Sequence, residues 1–161
     1  MITINFRLNG EKKSIKIEDG LGLTELLRES FGLTSVKKGC DVGECGACTV
    51  LVDNMPINSC VYLASRVDGK SVTTVEGLIS ENGDLNPVQQ AFIDEAALQC
   101  GFCTPGFILH GVYLTSLRRK LSRDEIRHEI SGHLCRCTGY QNIINAIEKC
   151  VNGEVTGIRV K

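Results

Sequence analysis

The sequence predicts an α+β fold made of a strand-rich N-terminal part and an all-helical C-terminal part. Apolar residues alternate with polar ones near the N-terminus, and Asn9-Gly10 interrupts the alternation. After residue 86 the apolar residues recur instead at helical spacing. Composition changes near Glu76, where a polar, Gly-containing stretch begins. The predicted organisation is a domain of residues 1–76, a linker of residues 77–85 and a helical domain of residues 86–161.

The N-terminal part should form a sheet packed on one helix. Asn9-Gly10 is the strongest short hairpin signal, and alternating residues flank it on both sides. Leucines at helical spacing predict a helix over 23–30, which Gly32 would end. This ββαββ order, with a mixed sheet wrapped on one helix, is the β-grasp arrangement. After the helix we predict a strand at 49–53, a turn at 54–56, a short return segment at 57–61 and a last strand at 72–75.

Four helices are predicted in the C-terminal part. Asn86 suits the N-cap and Pro87 the first position of a helix that runs to about residue 98. Four short helices would make a bundle of two antiparallel hairpins. The second helix follows residues 104–106. The third runs from Ser122 to about residue 130 and begins with a capping box formed by Ser122 and Glu125. The fourth follows Tyr140.

Composition and charge exclude several classes of protein. The formal net charge of −1 gives no sign of a nucleic-acid or anionic-membrane partner. No apolar run is long enough to span a bilayer, and the N-terminus lacks the pattern of a signal peptide. We therefore expect a cytoplasmic protein. In a reducing compartment, a cysteine-rich chain is expected to bind metal rather than form disulfides.

Eight of the nine cysteines fall into two groups of four, each spaced like an iron–sulfur site. The first group has the C-x4-C-x2-C pattern with a later fourth Cys, the plant-type pattern for a 2Fe-2S cluster. Glycines beside its loop cysteines can take the positive φ that lets a loop aim N–H groups at sulfur. Zinc prefers two compact pairs, so we predict iron–sulfur ligation here. The ligands would be Cys40, Cys45, Cys48 and Cys60.

The second group is built from two turns of the helical part. A C-x2-C pair would lie between the first two helices, and a C-x-C pair between the last two. Both turns reach the same end if the hairpins pack side by side. Alone, this set could also hold zinc, but the plant-type loop in the same chain favours iron. The ligands would be Cys100, Cys103, Cys135 and Cys137.

Three segments of the chain resemble one known family. They are GECGACTV at 43–50, QCGFCTPG at 99–106 and LCRCTGY at 134–140. In this order they resemble the small iron–sulfur subunit of the molybdenum hydroxylases, the xanthine oxidase family. The resemblance covers nearly the whole chain, with one departure at His133, where relatives often carry Asn.

The resemblance implies a β-grasp ferredoxin-like domain followed by a four-helix bundle, each with one 2Fe-2S cluster. It implies a large subunit with molybdopterin and a medium subunit with FAD, in a hetero-oligomer such as a dimer of heterotrimers. Substrate would be hydroxylated at molybdenum in another chain, and electrons would pass by the bundle cluster and then the ferredoxin-like cluster to FAD. The resemblance also places Gln99 and Cys137 beside the pterin.

Several functions remain open at this stage. Residues 35–63 most resemble the subunits of bacterial xanthine dehydrogenases and purine hydroxylases. Nicotinate, aldehyde, carbon monoxide and hydroxybenzoyl-CoA enzymes of the family are alternatives. Outside the family, the alternatives are a stand-alone two-cluster ferredoxin and a zinc-binding interaction module.

The remaining chemistry-bearing residues predict no further site. Cys150 lies in an apolar helical pattern and should be a buried core thiol. His110, His128 and His133 show no metal spacing and are expected on the surface or on helix faces. His133 adjoins the second cysteine group and could donate to a sulfur there.

Overall fold

The alternating N-terminal segment forms one strand of a five-stranded mixed sheet in the computed structural model, which describes residues 1–153. The strand order is β2-β1-β5-β3-β4. Strands β1 and β5 are parallel, and the other neighbours are antiparallel. The strands are β1 Ile2–Leu8, β2 Glu11–Ile17, β3 Thr49–Val52, β4 Met55–Asn58 and β5 Ser71–Thr73.

Two tight turns of left-handed backbone join the antiparallel strand pairs. Asn9 and Gly10, with φ of 52° and 86°, connect β1 to β2 and confirm the predicted hairpin. Asp53 and Asn54, with φ of 49° and 66°, connect β3 to β4. The predicted turn at 54–56 is therefore wrong, because Pro56 already lies in β4. An edge strand accepts Pro because the missing N–H can face away from its neighbour.

The predicted helix over 23–30 is present but changes its winding. It begins as an α-helix, α1, at Leu23–Glu25 and continues as π-helix over Leu26–Ser30. Gly32, at φ 66°, ends it as predicted. Buried leucines of this segment pack against the apolar face of β1 and β2 and form the first core. Its fully or nearly fully buried members include Ile4, Phe6, Leu8, Ile17, Leu23, Leu26 and Leu27.

Strand β3 is buried on both of its faces. Val50 and Val52 belong to the first core, under α1. Leu51 points the opposite way, as alternate strand residues must, and belongs to the core of the helical part. One strand thus joins the sheet to the bundle.

The helical part contains the four predicted helices, although the first is shorter than expected. It ends at Asp94 rather than near residue 98. The chain leaves it through Ala96, at φ 48°, and the Ala97 N–H closes the end on Phe92 O at 2.8 Å. This exit frees the next residues to form the loop of the second cysteine group. The helices are α2 Pro87–Asp94, α3 Thr104–Ser116, α4 Arg123–Glu129 and α5 Gln141–Val151.

The predicted linker is partly packed. A 3-10 turn over Val75–Leu78 opens it, and Leu78 is buried in the core of the bundle. Where one domain ends and the next begins stays a prediction. Residues 154–161, the end of the predicted helical domain, lie outside the described residues. Among the described helices, none has the length and apolar character to cross a membrane.

Two of the three histidines are buried: His110 lies in α3, in agreement with the expected helix-face position, whereas His133 lies neither on the surface nor in a helix. His128 is exposed, but His110 and His133 are 9 % and 6 % exposed. Helix α3 packs between the sheet and the other helices, so nearly all of its faces are covered. Both ring nitrogens of His110 lack a hydrogen-bond partner among the described residues. Burial lowers the pKa of His110 below its ordinary value.

We expect the change Ser122→Ala to weaken α4. The Ser122 hydroxyl accepts the Glu125 N–H, and the Glu125 carboxylate accepts the Ser122 N–H. Loss of such a cap lowers the free energy of unfolding by about 1 kcal/mol, which denaturant titration would measure. Ser116→Ala, at an exposed hydroxyl that is hydrogen-bonded within α3, is the control.

The hydrogen bond from the Ser122 N–H lowers the pKa of Glu125 to about 2. The carboxylate's contribution is therefore present above about pH 4.5 and is lost as the pH falls towards 2.

We expect His110→Leu to make the fold less sensitive to acid. An imidazole whose pKa is lowered by folding binds a proton more readily in the unfolded chain. The free energy of unfolding is therefore unaffected by His110 titration above about pH 6.5, and it declines as the pH falls below that value. Thermal unfolding between about pH 7 and pH 5 should show a smaller fall in Tm for His110→Leu than for the wild type. His128→Leu, at an exposed position, should keep the wild-type slope, and identical slopes for all three proteins would contradict this account.

Candidate metal centres

The first cysteine group gathers at one end of the sheet. Three of its members lie in the loop before β3, and the fourth lies in the 3-10 turn Ser59–Val61 after β4. The thiol of Cys60 interacts with those of Cys48 and Cys40, and Cys40 interacts with Cys45. The structure therefore brings together all four cysteines that the spacing predicts.

Backbone N–H groups of the loop point at one sulfur of this group. Cys40 Sγ accepts the N–H groups of Val42, Glu44 and Cys45 at 3.5, 3.3 and 3.4 Å. These hydrogen bonds, that of Val42 foremost, lower the pKa of Cys40 to about 6. The loop is thus built to stabilise negative charge on sulfur.

Glycines shape this loop in two different ways. Gly43 and Gly46 adopt positive φ, 85° and 68°, as the sequence predicts. Gly39 does not, but a Cβ at that position would lie 2.7 Å from Cys45 Sγ. Gly39 therefore provides space for a sulfur rather than a left-handed turn.

The second group gathers at one end of the bundle. Cys100 and Cys103 lie between α2 and α3, and Cys135 and Cys137 lie between α4 and α5. Cys137 Sγ is 3.6 Å from Cys100 Sγ. Cys103 interacts with Cys135. The two turns reach the same end of the bundle, as the packing of two helical hairpins requires.

Cys135 receives three hydrogen bonds from the residues that follow it. The Thr138 hydroxyl lies 3.1 Å from Cys135 Sγ, and the N–H groups of Cys137 and Thr138 lie 3.4 Å from it. Burial opposes ionisation of this thiol, but the hydrogen bonds outweigh it and lower the pKa of Cys135 to about 7. The Cys135 N–H donates a hydrogen bond to the Tyr140 hydroxyl oxygen at 2.9 Å.

Each group also holds a thiol that resists ionisation in the absence of metal. Burial, with the neighbouring Cys48 thiol, raises the pKa of Cys60 to about 11. Burial, with the neighbouring Cys135 thiol, raises the pKa of Cys103 to about 12. A metal must displace these protons when it binds, because the thiolate is the ligand.

The sulfurs approach one another in pairs. The pairs are Cys40 with Cys45, Cys48 with Cys60, Cys100 with Cys137, and Cys103 with Cys135. A 2Fe-2S cluster takes two protein ligands on each iron, so two sulfur pairs offer the ligands of one cluster. The thiols therefore fit two 2Fe-2S clusters.

Other residues named from the sequence do not join these groups. Gln99 is exposed beside Cys100. Cys150 is 1 % exposed in the core of the bundle, as predicted. Among residues 1–153, His133 makes its side-chain hydrogen bond to the sheet rather than to a sulfur, with Nε2 3.2 Å from Thr49 Oγ1.

Sequence reasoning missed the side chains that support the cysteines. Thr138 and Tyr140 orient Cys135, and the Asn58 amide donates to the Gly43 carbonyl at 2.8 Å. Thr138 alone had a sequence signal, because a hydroxyl residue so close to a ligand commonly bonds to the local chain. The other two depend on how distant segments fold together.

Two known protein domains match almost the whole described chain. The 2Fe-2S iron-sulfur cluster binding domain matches residues 6–74, and the 2Fe-2S binding domain matches residues 74–148. Both domain types are iron–sulfur modules, in agreement with the two groups of thiols.

Individual proteins resemble the chain over nearly its full length. The xanthine dehydrogenase iron–sulfur-binding subunit of Escherichia coli O157:H7 is 50 % identical over 151 residues, 92 % of this chain and 94 % of that protein. The nicotinate dehydrogenase small FeS subunit of Eubacterium barkeri is 47 % identical over 155 residues, 94 % and 98 %. A chain of quinoline 2-oxidoreductase from Pseudomonas putida 86 superposes with a TM-score of 0.87 at 43 % identity, covering 96 % of this chain and 98 % of that one. This chain therefore belongs to the family of small iron–sulfur subunits of the molybdenum hydroxylases, the electron-transfer subunits of multi-subunit oxidoreductases.

Proposed function

We propose that the eight grouped cysteines hold two 2Fe-2S clusters and that the chain links a molybdopterin-bearing large subunit to a FAD-bearing medium subunit. The observation that carries the proposal is the gathering of eight thiols into two sets, each made of two sulfur pairs. When bound, each cluster would accept and release one electron at a time. Substrate would bind in another subunit of the hetero-oligomer. Free thiols that serve as metal ligands persist in a reducing compartment, so we place the complex in the cytoplasm.

The chain's own contribution is to stabilise charge on sulfur. Reduction adds negative charge to a cluster that is already anionic, so donors aimed at sulfur favour the reduced form. Cys40 and Cys135 each receive three such donors, from the loop and from the turn that follows them. The two sites therefore use the same physical device on unrelated backbones.

We assign the large subunit to the end of the bundle that carries the second group. Cys100 and Cys137 are exposed there, next to exposed Gln99. No cysteine of the first group is exposed to the same degree, since Cys48 is buried and the other three are half-buried. Exposed ligands at one end would shorten the path to a neighbouring cofactor, in line with the predicted position of Gln99 and Cys137 beside the pterin.

We propose an aromatic nitrogen heterocycle as the substrate of the complex, with a purine of the xanthine type first. The 50 % identity to a xanthine dehydrogenase subunit supports this choice. A nicotinate-type substrate is the second candidate, because a nicotinate dehydrogenase subunit is 47 % identical over slightly more of the chain. Activity of the purified complex on both compounds would decide between them.

Isolation from the native organism tests the proposed function. We expect co-purification with chains that carry molybdenum and flavin, about four irons per copy of this chain, and two distinct EPR signals on reduction. Cys60→Ser should remove the signal of the first cluster, and Cys103→Ser that of the second. A free, iron-loaded monomer would instead indicate a stand-alone ferredoxin, and a colourless zinc protein would overturn the proposal.

The change Thr138→Val should lower the reduction potential of the second cluster. It removes the hydroxyl that lies 3.1 Å from Cys135 Sγ, and with it a donor that favours the reduced form. EPR-monitored redox titration would measure both potentials in one sample. Thr138→Ser keeps the hydroxyl and should restore the wild-type value, and Thr115→Val, within α3, is the matched control. Equal shifts of both clusters would refute local control by Thr138.

A further inference from the structure

The two cysteine-bearing parts meet at a short junction. The Leu134 N–H donates to the Cys45 carbonyl at 3.0 Å. Cys45 belongs to the first group, and Leu134 directly precedes Cys135 of the second. This hydrogen bond directly connects the chain segments that carry the two groups.

Two glycines let the backbones of the two parts touch at this junction. A Cβ at Gly106, in the first turn of α3, would collide with the carbonyl oxygen of Gly46. A Cβ at Gly46 would lie 2.7 Å from the Gly132 carbonyl and 2.8 Å from the ring of His133. The two glycines thus let backbone atoms and the His133 ring approach closely at the junction.

The imidazole of His133 fills the space beside these glycines. It is 6 % exposed, and its ring lies 5.0 Å from that of Phe107 and 4.9 Å from that of His110 between centroids. Its Nε2 lies 3.2 Å from Thr49 Oγ1, across the junction. The Thr49 hydroxyl is itself 2.8 Å from the Gly46 carbonyl.

The hydrogen-bond directions in this chain of contacts follow from the number of protons. Thr49 has one hydroxyl proton, and the shorter contact, to the Gly46 carbonyl, uses it. His133 therefore donates from Nε2 to Thr49 Oγ1. This assignment places the proton of the neutral ring on Nε2 and leaves Nδ1 as a buried acceptor without a partner among the described residues. An apolar side chain would avoid that unpaired acceptor but could not donate to Thr49.

We propose that His133 is a positioning residue, whose imidazole holds the loop of the first cysteine group against the second and so fixes the spacing of the two bound clusters. The inference rests on the proposed function, because it concerns how two clusters couple. The ring reaches the loop through Thr49 and Gly46, one residue from Cys45 and two from Cys48. On its own side it lies two residues before Cys135. A shift of the imidazole would therefore move ligands of both groups relative to each other.

The spin–spin interaction between the two reduced clusters in the intact complex tests this inference. Dipolar coupling falls with the cube of the distance, so it reports spacing directly, independently of turnover. We expect His133→Ala to retain about four irons per chain and both EPR signals while the splitting or relaxation enhancement between them decreases. His128→Ala, the same change at an exposed position, should leave the interaction as in the wild type.

A second pair of variants keeps the test decisive if His133→Ala loses its clusters. Thr49→Val removes the hydroxyl that accepts from His133, whereas Thr49→Ser keeps it. The coupling should fall in the first and return in the second. Gly106→Ala should also weaken the coupling, because its methyl group pushes against the Gly46 carbonyl.

The possible outcomes separate this inference from the proposed function. A wild-type complex without two iron–sulfur signals would overturn the proposed function itself. Two signals with an interaction that is absent in the wild type, or unchanged in both His133→Ala and Thr49→Val, would overturn the positioning role alone.

Discussion

The arrangement of both cysteine groups depends on the stabilisation of several thiolates that lie close together. Like charges at short range repel one another, and burial makes each ionised sulfur more costly. The chain meets this need with backbone N–H groups and one hydroxyl that point at Cys40 and Cys135. At Cys60 and Cys103 burial outweighs the backbone hydrogen bond to the sulfur, so their pKa values stay raised until a metal replaces their protons.

This constraint explains why both cysteine groups lie in loops at the ends of regular elements. The N–H groups of a strand or a helix are used in the hydrogen bonds of that element, whereas the N–H groups of a loop can point at a sulfur. The sheet and the bundle then act as frames that bring the loop ends together. In the first part the frame is β3 with the turn after β4, and in the second it is the pair of helical hairpins.

Local features of the fold and the grouping of the eight cysteines could be predicted from the sequence. The hairpin at Asn9-Gly10, the capping box at Ser122 and the eight cysteines depend on short patterns with a direct physical cause. The early end of α2 could not be predicted, because alanine does not itself favour the left-handed backbone of Ala96, which is fixed by the hydrogen bond from Ala97 N–H to Phe92 O and by the burial of Ala97. The burial of His110 and His133 also depends on contacts between distant segments. The same holds for the meeting of Gly46 with Gly106.

The double burial of β3 bears on how such a chain can be divided. The side chain of Leu51 packs in the hydrophobic core of the helices, whereas those of its neighbours Val50 and Val52 pack in the core beneath the sheet. Excision of either half would expose apolar side chains that the other half covers, and such a surface is prone to self-association. Recombination between relatives should therefore exchange both halves as one block.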